Sequence, residues 1–192
     1  MKEPIRYWGD IPKRFYSDLD QKPFEHCLLC NKELLHKGVH YIIEKAYRSF
    51  GSEKAEKTIF EYAICLDCAE EYREQLSEES IKNIDEYMSQ IDFATRSYKL
   101  LGKDDEEWLK ECLIHKSGVG EEGEAQIYGL CDGDNFIYGE FPYMIRLEAM
   151  DEIVELLSSE TLDELNRFKD RLTSGPPELQ DILDKVGPRL LV

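Results

Sequence analysis

Polar and apolar residues alternate along residues 57–64, with a period of two. The residues on one face of an extended chain there are Thr58, Phe60, Tyr62 and Ile64. A second run rich in β-branched and aromatic residues precedes it at residues 40–47. Both features are typical of β-strands. The polar stretch at residues 51–54 separates the two runs, so the pattern predicts a β-hairpin with a loop longer than a minimal turn.

A spacing of three to four residues replaces this alternation after residue 64 and predicts helices. The first apolar stripe comprises Cys68, Ala69, Tyr72 and Leu76. The second follows Ser77 and comprises Ile81, Ile84, Met88 and Ile91. A short helix at residues 93–101 precedes Gly102, and Asp104 or Asp105 can cap the next helix. The apolar residues of that helix are Trp108, Leu109, Cys112 and Leu113.

The pattern returns to β-type beyond residue 123. Strands are predicted at residues 126–131, 136–138 and 143–147, and the first two form a hairpin. The amphipathic run at residues 149–157 and a helix starting at Thr161 are expected to cover these strands. Thr161 with Glu164 has the spacing of a capping box, and a last short helix follows residue 177. The predicted fold class is therefore α+β, with a small antiparallel sheet covered by C-terminal helices.

Four cysteines stand in two CxxC pairs, Cys27 with Cys30 and Cys65 with Cys68. Each two-residue spacer lets a tight turn aim both sulfurs at one point. Four thiolates at about 2.3 Å around a tetrahedral Zn²⁺ form a closed structural site. One CxxC pair also suits a redox dithiol, but two pairs in one segment favour zinc over disulfides. We therefore predict structural Zn²⁺ as the cofactor, bound by these four cysteines.

The order of elements around the cysteines resembles the treble-clef class of zinc fingers. A knuckle at the first pair, a hairpin and a second pair on the first turn of a helix follow one another over about residues 26–76. The resemblance implies a zinc-binding fold but no activity, because treble clefs serve many functions. Treble-clef nucleases hold a catalytic metal with histidines on the hairpin and helix. The helix after Cys68 has none, and His36 and His40 come at or before the first strand.

Four segments divide the chain. Residues 1–25 form an extended arm rich in aromatic residues and proline, and residues 26–76 form the zinc-binding module. Residues 77–116 form a helical segment, and residues 117–192 form an acidic α+β segment. The glycine-rich loop at residues 117–123 marks the last boundary.

Charge is unevenly distributed along the chain. The net charge is −17, but residues 1–60 hold eleven Lys and Arg against nine Asp and Glu, so residues 61–192 carry −19. Such a surface repels nucleic acid, whose binding depends on Lys and Arg at phosphates. Any contact would have to come through the hairpin, whose basic residues are Lys45, Arg48, Lys54 and Lys57. The simpler interpretation of those four is solubilising charge on an exposed loop.

The sequence places the protein in the cytoplasm. No apolar run approaches the length of a membrane span, and no signal-peptide core follows the N-terminal residues. Thiols stay reduced in the cytoplasm, which again favours zinc over disulfides.

Cys112, His115 and Cys131, with the nearby Asp132 or Asp134, are the other residues that could bind a metal. A second site with an open coordination position would make the protein a metalloenzyme. The competing interpretation is that Cys112 belongs to the apolar face of its helix, as buried free cysteines commonly do. The sequence has no GxSxG, HExxH or Walker motif, and we assign no catalytic residue.

These observations favour a cytoplasmic zinc-binding protein that acts as a protein-interaction or regulatory module. We expect a protein partner, no nucleic acid and no membrane, and the sequence identifies no small-molecule substrate. Two alternatives are a nucleic-acid-associated factor that uses the basic hairpin and a metalloenzyme with a second site near Cys112, His115 and Cys131.

Overall fold

A computed structural model describes residues 3–50 and 55–173 of the chain. The strands are β1 (Tyr7–Asp10), β2 (His40–Phe50), β3 (Ala55–Cys65), β4 (Glu124–Asp132), β5 (Asn135–Tyr138) and β6 (Tyr143–Arg146). The helices are α1 (Leu66–Arg73), α2 (Glu78–Met88), α3 (Phe93–Leu100), α4 (Asp105–Trp108), α5 (Leu147–Glu155) and α6 (Ser159–Thr173). A 3-10 turn covers Lys13–Phe15. The predicted loop at 51–54 and the predicted helix beyond residue 177 lie outside the described residues.

The six strands form one antiparallel sheet, which confirms the α+β class. Its order is β1-β5-β4-β2-β3, and β6 pairs with β4 beside this path. The predicted hairpin is present, with Tyr41 opposite Cys65 and Ile43 opposite Ala63. The expectation of a separate small sheet is wrong, because β4 pairs with β2 along most of its length, from His40 opposite Asp132 to Arg48 opposite Glu124.

Strand β2 is an interior strand of this sheet and lies between β3 and β4. Residues 43–47 are all buried, so neither face of the strand is open to water. A bulge between Ala46 and Tyr47 shifts the register with β3. The position explains why β2 lacks the alternation of β3, since a strand buried on both faces has no polar side.

The N-terminal segment is packed against the sheet and adds a strand to it. Phe15 is fully buried, and its ring centroid lies 4.8 Å from that of Phe136. Gly129 makes room for this pair. A Cβ there would stand 2.7 Å from the Phe136 ring and 2.8 Å from the Phe15 ring, distances that side chains do not tolerate.

The chain divides into two compact units. The first contains the N-terminal residues through Ala69 together with Ile91–Arg146, and the second contains Glu70–Gln90 with the residues from Leu147 onward. All six strands belong to the first unit. The predicted division into four segments and the predicted covering of the strands by the C-terminal helices stay predictions.

Serine and threonine hydroxyl groups connect the starts of two helices in the second unit. Ser77, which directly precedes the predicted second helix, caps α2 by accepting from the Ser80 amide. Helix α6 begins at Ser159, and the Ser158 hydroxyl accepts from the Thr161 amide at 3.2 Å. Thr161 is therefore the third residue of α6 and not its cap. Its hydroxyl is fully buried and accepts from the Ser77 amide instead.

Helix α4 is shorter than the sequence predicts. Asp104 caps it by accepting from the Glu107 amide, but the helix ends at Trp108. The amides of Cys112 and Leu113 then donate to the Ser117 and Met144 carbonyl groups, so the chain leaves the helical path. Among the described helices, none is long and apolar enough to cross a membrane.

Candidate metal centre

The four cysteines of the two CxxC pairs come together at one end of the hairpin. Their sulfur atoms all lie within 4.8 Å of one another. The sulfurs of Cys30 and Cys65 are 3.7 Å apart, and all six cysteines of the chain are free thiols. Two ligands 2.3 Å from the centre of a tetrahedron stand about 3.8 Å apart, so the observed separation suits a bound metal better than a disulfide.

Hydrogen bonds of a tight turn position the first pair. The Asn31 amide donates to the Cys27 carbonyl, and the Cys27 amide donates to the Lys32 carbonyl, both at 2.9 Å. Asn31 has a φ of 58°. Asn is the residue besides glycine that adopts this left-handed conformation most readily, so it suits the point where the turn reverses. The turn is fixed to the sheet because the Leu28 amide donates to the Ala63 carbonyl at 2.9 Å.

The second pair lies where a strand becomes a helix. Cys65 is the last residue of β3, and Cys68 is in the first turn of α1. The Cys65 amide points at the Cys27 sulfur from 3.4 Å. The partial positive charge of a helix N-terminus favours thiolates over thiols. Strand, turn and helix therefore converge on one sulfur cluster.

The electrostatics of the cluster favour one thiolate and oppose four. Burial disfavours ionisation of Cys27, but amide groups of Cys30, Cys65 and Leu29 lower the pKa of its thiol to about 7. Burial and the neighbouring sulfurs raise the pKa of the Cys68 thiol, and burial raises that of Cys65. Four thiolates this close repel one another, so holding them together requires a cation at the centre.

The donor set fits a closed, four-coordinate metal site. Four sulfurs complete a tetrahedral shell, which leaves no position for water or substrate. Cys27 and Cys65 are buried, whereas Cys30 is exposed and Cys68 is half-buried. Lys32, two residues after Cys30, forms an ion pair with Asp67, which stands between Cys65 and Cys68 in the sequence. The arrangement is compatible with a structural zinc site.

His26 and His36 stay outside the cluster. His26 is exposed and forms an isolated β-bridge with Glu33, and a ring nitrogen of His36 lies 2.5 Å from the Glu33 carboxylate. Neither belongs to the group of metal-ligating side chains that the described residues form.

Cys112, His115 and Cys131 do not form a second cluster of this kind. Cys112 is fully buried, and its sulfur faces the Arg146 amide at 3.4 Å. Cys131 is also fully buried, and burial raises the pKa of its thiol to about 12 despite a hydrogen bond with Tyr41. His115 is exposed. In residues 3–50 and 55–173, the group around Cys27 is the one set of three or more metal-ligating side chains.

The described basic residues of the hairpin, Lys45, Arg48 and Lys57, do not form an exposed patch. The Lys45 ammonium is buried, 2.7 Å from an Asp18 oxygen and 2.9 Å from a Glu61 oxygen. The expectation that Lys45 carries solubilising charge is therefore wrong, because its side chain points into the protein. Arg48 forms an ion pair with Glu124. Lys57 is exposed, and Lys54 lies outside the described residues.

Comparisons of this chain with protein families, with curated proteins and with solved structures gave no match. Function is therefore inferred from the sulfur cluster and its surroundings.

Sequence reasoning finds the four cysteines but misses the groups that hold them in place. The contact of Leu28 with Ala63 joins residues that are distant in sequence, and no local pattern marks it. The ion pair of Lys32 with Asp67 also joins residues that are distant in sequence. Asn31 directly after a CxxC pair is the one such residue with a local signal, since asparagine favours a reversed turn.

Proposed function

We propose that this chain is a cytoplasmic, zinc-stabilised protein-interaction or regulatory module. The observation that carries the proposal is the four-sulfur cluster of Cys27, Cys30, Cys65 and Cys68. A closed shell of this composition supplies folding energy and has no coordination position for catalysis. Zinc is the metal we assign, because four thiolates in a tetrahedral arrangement select it among common divalent cations.

The treble-clef likeness is part of this proposal. The order of knuckle, β2–β3 hairpin and α1 supports it, as does the placement of Cys68 in the first helical turn. Six unpaired cysteines support a reducing compartment, where zinc and not oxidation stabilises such a cluster.

A protein is the partner class that the surface supports best. A net charge of −17 disfavours polyanions, and the buried Lys45 removes one cation from the hairpin. The metalloenzyme alternative loses its support, because Cys112 and Cys131 are both buried and fall outside the metal-ligating group of the described residues.

Metal analysis of purified protein tests the zinc assignment. We expect about one zinc per chain, and we expect Cys30→Ser or Cys68→Ser to release it, because three sulfurs hold zinc far less tightly than four. Cys112→Ser is the matched control, since it removes a buried thiol outside the cluster and should leave zinc content unchanged.

Two results would contradict this assignment. A disulfide between Cys27 and Cys30 in protein without zinc would remove the structural role of the cluster. Two zinc ions per chain, one of them lost with Cys112 or His115, would restore the enzyme alternative. For the interaction role, partners captured by zinc-loaded protein and identified by mass spectrometry should be lost with Cys30→Ser and retained with Cys112→Ser.

A further inference from the structure

The end strands of the order β1-β5-β4-β2-β3 differ in what covers their outer edges. At the β3 edge, the Ala63 carbonyl accepts from the Leu28 amide, and the Glu61 carboxylate accepts from the Asp18 amide at 2.7 Å. The Thr58 hydroxyl donates to the Asp18 carboxylate at the same edge. The knuckle thus takes up a backbone acceptor of β3, and side-chain contacts with the N-terminal segment cover a further part of this edge.

Among residues 3–50 and 55–173, nothing pairs with the outer edge of β1. Strand β1 pairs with β5 on one side, from Tyr7 opposite Tyr138 to Asp10 opposite Asn135. Within the described part of the chain, no strand pairs with its other side, and no further backbone hydrogen bond reaches these four residues. An open strand edge presents amide and carbonyl groups to which an extended chain can add.

The side chains of β1 differ between its two faces. Tyr7 stacks on Tyr138 with ring centroids 4.7 Å apart, which fixes one face of the strand to the protein. Successive side chains of a strand alternate, so Trp8 and Asp10 lie on the other face. Trp8 is 56% exposed, an unusual position for so large an apolar side chain at a strand edge. Native sheets protect open edges with short strands, charge or proline. Strand β1 is short and carries the charge of Asp10, but Trp8 beside it leaves an apolar surface exposed.

The surroundings of the edge are negatively charged. Asp10 is exposed, and Arg6, the basic residue next to β1, is bound to Glu140 at 2.7 Å. Burial, followed by the charges of nearby carboxylates, raises the pKa of Tyr138 to about 12. These carboxylates belong to Asp105, Asp104 and Asp10. A partner that approaches this edge therefore gains from positive charge.

We propose that the open edge of β1 binds an extended, basic segment of a partner protein, which adds to the sheet as a further strand. An apolar or aromatic residue of that segment lies opposite Trp8, and Lys or Arg lies opposite Asp10. Main-chain hydrogen bonds provide affinity, and these two pairs provide specificity. The inference rests on the proposed interaction role and names its surface and the chemistry of its partner.

Selection from a displayed library of random nine-residue peptides tests the proposal on the zinc-loaded full chain. Since Trp8 and Asp10 are two residues apart on one face, we expect selected peptides to carry an apolar or aromatic residue two positions from Lys or Arg. Trp8→Ala should weaken binding of a selected peptide about tenfold or more. Asp10→Lys should weaken it and reverse its dependence on salt.

Two controls separate this edge from other exposed surface. Leu19→Ala and Tyr98→Ala remove side chains that are 89% and 70% exposed but lie outside β1, and both should leave the affinity unchanged. Methylation of single backbone amides of the peptide provides a readout that leaves the protein intact. In an added strand alternate amides face β1, so binding should be lost at every second position and retained between them.

Several outcomes would overturn the inference. One is that no peptide is selected, and another is that Trp8→Ala does not change the binding of a selected peptide. A third is that amide methylation weakens binding without a period of two along the peptide. The fourth is that this chain forms a dimer that Trp8→Ala dissociates. Zinc-dependent capture of a cellular partner that persists in Trp8→Ala would leave the proposed function standing and remove this surface from it. Loss of zinc binding in the unaltered protein would instead contradict the proposed function.

Discussion

Lys45 shows how one residue connects the sheet to the N-terminal segment. Its side chain is 6% exposed, and its ammonium donates to the Tyr16 carbonyl at 2.8 Å and to Asp18 at 2.7 Å. Glu61 forms an ion pair with the same ammonium group, with an oxygen 2.9 Å from the nitrogen. Burial raises the pKa of Asp18, but the hydrogen bonds of Lys45 and Thr58 lower it overall. The Lys45 ammonium group thus balances the negative charges of Asp18 and Glu61.

Replacing this ammonium group should be costly. Lys45→Met keeps the length of the side chain but leaves the largely buried Glu61 carboxylate without its cation, and removing one partner of a buried ion pair costs about 3 kcal/mol. Urea unfolding of zinc-loaded protein measures the loss. Lys57→Met, on the neighbouring strand and exposed, should change the free energy of unfolding by less than about 0.5 kcal/mol. Equal effects of the two substitutions would show that Lys45 is solvated in solution.

At the scale of elements, the sequence predicts what is encoded locally. The hairpin, the Ser77 cap and the cysteine cluster follow from alternation, capping chemistry and ligand spacing over short stretches. The insertion of β2 between β3 and β4 does not follow, because β4 comes about sixty residues after β3. Strand pairing over such separations depends on the packing of the whole unit, and neither strand carries a sequence pattern that identifies its partner.

The hydroxyl cluster of the second unit is another element-scale feature that the sequence does not reveal. Ser77 and Ser158 each cap a helix, and their hydroxyl oxygens are 2.8 Å apart. The Ser80 hydroxyl accepts from the Ser158 amide at 2.8 Å and is fully buried. Each cap therefore supports the other, and the starts of α2 and α6 form one network.

A double-mutant cycle on these caps should show coupling. We expect Ser77→Ala and Ser158→Ala each to lower the free energy of unfolding by about 1–2 kcal/mol. The double substitution should cost about 1 kcal/mol less than the sum, because each single change already breaks the shared contact. Ser89→Ala is the control, since its hydroxyl is exposed and donates only to the Glu86 carbonyl. Strict additivity in urea unfolding would contradict a shared network.

Over the whole molecule, charge limits the choice of partner. The −19 carried by residues 61–192 spans parts of both compact units. Potentials of this sign repel polyanions over a distance of about 8–10 Å at physiological salt. In the described part of residues 1–60, ion pairs of Arg14 with Glu56 and of Arg48 with Glu124 neutralise two of the basic side chains behind the +2. A basic partner gains from the same field that excludes nucleic acid.

Binding to nucleic acid should therefore be negligible at physiological salt. Fluorescence anisotropy with labelled random duplex and single strands measures it on the zinc-loaded chain, and we expect no saturable binding in the micromolar range. The charge reversals Arg48→Glu and Lys57→Glu should change nothing, because Arg48 is already neutralised and one exposed lysine releases too few counterions to hold a duplex. Lys45 is unsuitable for this test, since its replacement alters folding. Salt-sensitive, sub-micromolar binding that these two reversals abolish would show that the hairpin contacts phosphates, and would favour a nucleic-acid-associated factor over a protein-interaction module.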